Sequence, residues 1–164
     1  MAEPAGLDEW PAFDPRALLV ALTDARVDFV VIGGIAVVLL GSARLTRDLD
    51  IVFSPARANR ERLGEALVEL GASLRGVDAE APFVADATTL DRVEILTLST
   101  GAGPLDLHRR PQGAPDYRQL SDNAERLDLG GMTVLVASIA DMIAMKRAAG
   151  RHRDLADVAE LEAI

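Results

Sequence analysis

The sequence predicts a single compact α/β (α+β) domain, with a mixed β-sheet flanked by helices. Short aliphatic runs with period-2 alternation are interleaved with longer segments of helical periodicity. Some neighbouring runs are joined by glycine-containing turns too short for a crossover helix, which reads as antiparallel hairpins and fits a mixed sheet better than a purely parallel one. A length of 164 residues with 49% hydrophobic content suits one core.

Residues 1–13 mix proline, glycine and acids without periodicity and read as a flexible N-terminal arm, leaving 14–164 as the domain. Asp14 is an N-cap and Pro15 a first helical residue, opening a helix to about Arg26 with Leu18, Leu19 and Leu22 on one face. A strand then runs from Asp28 to Ile32 and breaks at Gly33-Gly34. The valines after that turn favour a strand, yet an unbroken strand from Phe29 to Leu40 would be unusually long. A short buried helix ending near Gly41 is the better reading. Next, Leu49, Ile51 and Phe53 alternate with Asp48, Asp50 and Val52, a strand with its aliphatics inward and both carboxylates on the opposite face.

Residues 56–70 form an amphipathic helix closed by Gly71, and 72–89 are turn-rich, with only 82–85 a candidate edge strand. Val93–Leu98 and Leu105–His108 read as a hairpin carrying Glu94 and Asp106. A helix over 116–124 and a hairpin around Gly130-Gly131 follow. Ser138 caps a helix to Ala149, stopped by Gly150, and a last helix spans about 153–161.

Composition narrows the chemistry. There are no cysteines and two histidines, so disulfides, thiolate sites and histidine-based zinc centres are excluded and any metal would be oxygen-ligated. The N-terminus lacks a secretory signal and the apolar run over 29–43 is too short to span a bilayer, so the expectation is a cytoplasmic protein with no membrane partner. A net charge of −9 argues against general nucleic-acid binding and leaves room for a local basic patch, for which Arg109, Arg110, Arg147, Arg151 and Arg153 are the densest candidates. Lys146 is the only lysine among 17 basic residues. It stands beside the apolar stripe of Ile139, Met142 and Ile143, where it could enter a cleft.

Gly33-Gly34 at a strand-to-helix turn can hold a phosphate on backbone N–H groups, and Asp48 and Asp50, two residues apart on one strand face, can reach one cation. Together Ile32-Gly33-Gly34, Gly41, Arg44-x-Thr46-x-Asp48-x-Asp50, Lys146 and Gly150-Arg151-x-Arg153-Asp154 resemble the nucleotidyltransferase superfamily of DNA polymerase beta. In detail they look like the small bacterial nucleotidyltransferases related to abortive-infection (AbiEii-type) toxins. The resemblance runs from about Asp28 to the C-terminus.

It implies the nucleotidyltransferase fold and Mg-dependent transfer of a nucleoside monophosphate from NTP to an acceptor hydroxyl, with release of pyrophosphate. Asp48 and Asp50 match two of three carboxylates around two Mg2+ ions, Mn2+ being the substitute. The third is Asp106, with Glu94 as fallback. Gly33, Gly34, Arg44, Thr46 and Lys146 match nucleotide-binding positions, although Arg44 and Thr46 could equally hold their loop. The acceptor implied is an RNA such as a tRNA end, with a protein or antibiotic hydroxyl open to the same core, and the implied partners are an antitoxin or a second copy of the chain. The alternative is a catalytically silent partner or scaffold of the same fold in a toxin-antitoxin system. An interaction protein using the apolar face near Ile139–Ile143 is a third class. His108 reads as a structural histidine at a strand end.

Overall fold

A computed structural model describes residues 12–76 and 85–164. Helix α1 (Pro15–Asp24) starts as expected, with the Asp14 side chain accepting from the Ala17 N–H at 3.0 Å. It leads into β1 (Phe29–Ile32), α2 (Gly33–Leu39), β2 (Leu49–Phe53) and α3 (Arg57–Glu69). The middle holds β3 (Ser73–Leu74), α4 (Ala87–Arg92), β4 (Ile95–Thr100) and β5 (Gly103–His108). The chain continues with α5 (Tyr117–Asn123), β6 (Glu125–Asp128), β7 (Thr133–Val136), α6 (Ile139–Ala149) and α7 (His152–Glu162).

Seven strands form one sheet in the order β3-β4-β5-β2-β1-β7-β6. The β4–β5 and β6–β7 hairpins, the β1–β2 pair and β3–β4 are antiparallel. β2–β5 and β1–β7 are parallel, so the sheet is mixed. One face of its centre is wholly apolar: Leu49 pairs with Leu105 and Ile51 with Leu107, and Leu96 and Leu98 continue the layer on β4. All are buried in one cluster with Leu18 and Leu22 of α1 and Leu63 and Leu67 of α3. Each such side chain contributes about 1.5–3 kcal/mol on burial, enough to fix the register, because a one-residue slip would expose the whole set.

Fixing that register also fixes the opposite face. Asp50 and Asp106 are directly paired across β2 and β5, and His108 lies one step further along opposite Val52. The polar side of the central strands is thus the side on which a site can form. At the far end of β1 and β2, fully buried Asn59 of α3 joins the two strands: its Oδ1 accepts from the Asp28 N–H at 2.6 Å, and its Nδ2 donates to the carbonyls of Asp28 and Ser54, each at 3.0 Å.

Three local readings change. β4 starts at Ile95 rather than Val93 and ends at Thr100, which leaves Glu94 exposed and outside the strand. The stretch read as turns contains β3 and the start of α4, whose only buried side chain, Leu90, gives too little periodicity to detect. Ile139 and Ile143 pack against the core instead of forming an exposed face. The edge strand considered for 82–85 falls, apart from Ala85, outside the described residues, as does the arm before Ala12. Among the described residues no helix is long and apolar enough to cross a membrane.

Candidate active site

A cleft of about 800 Å3 opens over the polar side of β2 and β5, bounded by the glycine turn at the start of α2, the loop before β2, and helices α6 and α7. At its floor Asp48, Asp50 and Asp106 each present a carboxylate oxygen within 4.8 Å of the other two. Asp48 comes from the residue before β2, Asp50 from its interior and Asp106 from the parallel neighbour β5. Glu94 does not join them.

This proximity has an electrostatic cost. Burial, and next the Asp50 charge, push the Asp106 carboxyl up to about 6, even though Arg75 pairs with it and pulls the other way. Asp48 is raised for the same two reasons, with Arg75 and Arg153 opposing. An all-oxygen cluster that still lacks positive charge after its own cations are counted fits a hard divalent cation.

The glycine turn is shaped by that cluster. Gly33 sits at φ +71°, and a Cβ there would lie 2.5 Å from Asp50 Oδ2. A Cβ on Gly34 would lie 2.6 Å from Thr46 Oγ1. Backbone is therefore pressed against the carboxylate and the threonine, as only glycine permits. No side chain caps the amides that open α2.

On the α6–α7 side the cations are strapped together. The Arg44 guanidinium pairs with Asp157, and Ser42 Oγ donates to Glu160 Oε2 at 2.8 Å, tying the loop before β2 to α7. Lys146 Nζ donates to Asp157 Oδ2 at 2.8 Å and lies 3.6 Å from Asp154 Oδ1. Arg151 closes the network with Nε 2.6 Å from Asp154 Oδ2. Both aspartates are nearly inaccessible, so burial alone would raise them. Instead the Arg151 hydrogen bond holds Asp154 low, and the Lys146 and Arg44 hydrogen bonds hold Asp157 low.

The expected residues Gly33, Gly34, Arg44, Thr46, Asp48, Asp50, Asp106 and Lys146 all line this one cleft. Arg151 and Arg153 also line it, whereas Arg109 pairs with Asp91 and Arg147 with Glu162 elsewhere. Arg75 and Asp157 carried no signal in the sequence, and His108, read there as a structural histidine, lines the cleft. His108 Nε2 is 3.0 Å from Asp50 Oδ1. The one available signal was its place two residues after Asp106, which puts both on the same face of β5.

Solved structures share the fold. The lincosamide antibiotic adenylyltransferase LnuA is 17% identical over 92% of this chain and 95% of its own, with a TM-score of 0.62. The antibiotic-resistance factor ANT(2'')-Ia is 15% identical over 91% and 80%, with a TM-score of 0.59. An antigenic nucleotidyltransferase-like protein from Paracoccidioides brasiliensis is 20% identical over 88% and 72%, with a TM-score of 0.52. No curated protein matches the sequence. The family model described as "Nucleotidyl transferase AbiEii toxin, Type IV TA system" matches residues 17–163. With almost the whole described fold inside that match, the chain belongs to the AbiEii nucleotidyltransferase toxin family.

Proposed function

We propose that this nucleotidyltransferase moves a nucleoside monophosphate from an NTP to the hydroxyl of an RNA end, releasing pyrophosphate, with Asp48, Asp50 and Asp106 as the ligands of divalent cations. The meeting of those three carboxylates beside a glycine turn is the observation that carries the reading. Bound Mg2+, or Mn2+ in its place, supplies the charge that offsets the triphosphate and lowers the pKa of the attacking hydroxyl.

The protein's own part is positioning and charge. Gly33 and Gly34 let phosphate oxygens approach backbone amides. Lys146 has three donors, of which one binds Asp157 closely, and Arg44 likewise keeps donors beyond its pair with Asp157. Both cations therefore face the phosphates from a rigid mount. Thr46 braces the glycine turn. Arg75 and Arg153 stand near Asp106 and Asp48 and partly offset their charge, which lowers the repulsion an RNA end would meet at the cluster. The toxin-system description of the family supports a cognate antitoxin as partner.

The test incubates the purified protein with each labelled NTP, Mg2+ and total RNA, beside Asp48→Ala and Asp50→Ala variants. Label should enter RNA with the wild type and fall by about a hundred- to a thousandfold with either variant. Transfer that survives both substitutions removes the metal-site reading. Label entering protein or a small hydroxylated molecule instead of RNA changes the acceptor and keeps the chemistry. No transfer to any acceptor favours a silent member of the fold acting as a partner or scaffold.

A further inference from the structure

The cluster has a neighbour whose bonding is one-sided. His108 is largely buried, its Nε2 lies 3.0 Å from Asp50 Oδ1, and its Nδ1 is buried with no hydrogen-bond partner among the described residues. A histidine kept for the fold would ordinarily use its inner nitrogen to satisfy a backbone group. Here that nitrogen is left bare and the ring's one polar contact goes to a carboxylate of the cluster.

Register explains how it reaches there. Asp106 and His108 alternate onto the same face of β5, and the parallel pairing that sets Asp106 opposite Asp50 sets His108 opposite Val52, diagonal to Asp50. The donated bond occupies Asp50 Oδ1. The other oxygen, Oδ2, is the atom that meets the Gly33 turn. Asp50 is thus gripped on one side by the imidazole and confined on the other by glycine backbone, with little rotational freedom left. His108 is itself outside the set of mutually close ligand atoms, which comprises only the three aspartates.

We propose that His108 is a positioning residue of the carboxylate centre: by donating from Nε2 to Asp50 Oδ1 it fixes the Asp50 carboxylate with Oδ2 turned to the glycine turn, pre-set for a divalent cation. The proposal rests on the metal-centre reading above. Partners of ligating carboxylates typically change metal affinity by about 10–100-fold when removed.

Two variants of similar volume separate the donor from the shape. His108→Leu fills the space without a donor, and His108→Gln carries an amide N–H to about the position of Nε2. Binding of Mn2+ alone is followed by the loss of the free-ion electron paramagnetic resonance signal, on the wild type, both variants and Asp48→Ala, with thermal melts in EDTA to confirm that each is folded. His108→Leu should weaken Mn2+ at least about tenfold while His108→Gln stays within about threefold of the wild type. Equal affinity for the leucine variant and the wild type overturns the proposal, and so does equal weakening by leucine and glutamine. A wild type that binds no Mn2+ removable by Asp48→Ala removes the metal centre and this proposal with it, an outcome distinct from the other two.

Discussion

Replacing Asp106 by asparagine should make the metal-free protein more stable. In the folded chain the Asp106 carboxyl is raised from the ordinary 3.8 to about 6, first by burial and then by the Asp50 charge. Taken whole, that rise corresponds to about 3 kcal/mol of unfavourable ionisation. The cleft is open to water, and screening reduces the expected gain to about 1–2 kcal/mol. Because the folded-state value is raised, the proton binds the folded chain more tightly than the unfolded one. The stabilisation is complete below 3.8 and is lost as pH rises through about 6. Asparagine mimics the protonated form at every pH and can still accept from Arg75.

In EDTA at pH 7.5 the variant should therefore melt about 2–8 °C above the wild type, given about 2–4 °C per kcal/mol for a domain of this size. At pH 5.0 the difference should fall to about half, since the wild-type carboxyl is then largely protonated. If the three carboxylates hold a cation as proposed, added Mg2+ should raise the wild type and leave the variant behind, because only the wild type keeps all three. The assay is a fluorescence or calorimetric melt at the two pH values. A variant that melts at or below the wild type in EDTA at pH 7.5 would refute the claim that the cluster is electrostatically loaded.

Other outcomes follow from single contacts. Asn59→Ala removes the side-chain partner of the Asp28 N–H and the Ser54 carbonyl, which flank β1 and β2, while the Asp28 carbonyl keeps its bond from the Ser54 N–H; it should cost about 1–3 kcal/mol in a urea titration, with no change in Mn2+ affinity beyond what unfolding explains. Gly33→Ala puts a methyl 2.5 Å from Asp50 Oδ2 at a positive φ, so it should lose about 1–2 kcal/mol and most Mn2+ binding together. Asp157→Ala leaves Lys146 and Arg44 without their shared carboxylate. It should lower stability by about 3–5 kcal/mol at neutral pH, the wild-type advantage fading as acid protonates Asp157 below the usual carboxylate range. A melt series from pH 7 to pH 3 reads that loss directly.

What could be read from sequence divides along a physical line. β2 announces itself because Leu49, Ile51 and Phe53 alternate with Asp48 and Asp50, and Gly33-Gly34 because a tight turn between strand and helix needs glycine. Asp106 could be nominated because it too alternates with leucines, at Leu105 and Leu107. These are patterns within one element. Arg75 with Asp106, His108 with Asp50, and Arg44 with Asp157 are different, being 31, 58 and 113 residues apart. No local period encodes such pairs; they exist only through the β3–β4–β5 and β2–β5 registers and the docking of α7 on the loop before β2. Arg75 also follows β3, an element of two residues that leaves almost no signal. Glu94 sits amid aliphatics as Asp106 does, but β4 begins after it, and the β4 residues paired with Asp106 and His108 are Thr97 and Ile95, so period-2 alternation leaves Glu94 out of step with the aspartates.

The long reach of those pairings has a consequence for how the protein comes into being. A chain emerging from the ribosome displays Asp48 and Asp50 long before β5 delivers Asp106 and His108. Lys146 appears later still, and Asp157 last of all. Because parallel pairing and helix docking over such separations form late, the cleft is among the final features to assemble. A growing chain therefore passes most of its synthesis without an intact cleft, and gains it only when sheet and helices close together. Loss of α7 should open the Arg44 and Lys146 side of that cleft while leaving Asp48, Asp50 and Asp106 in the chain.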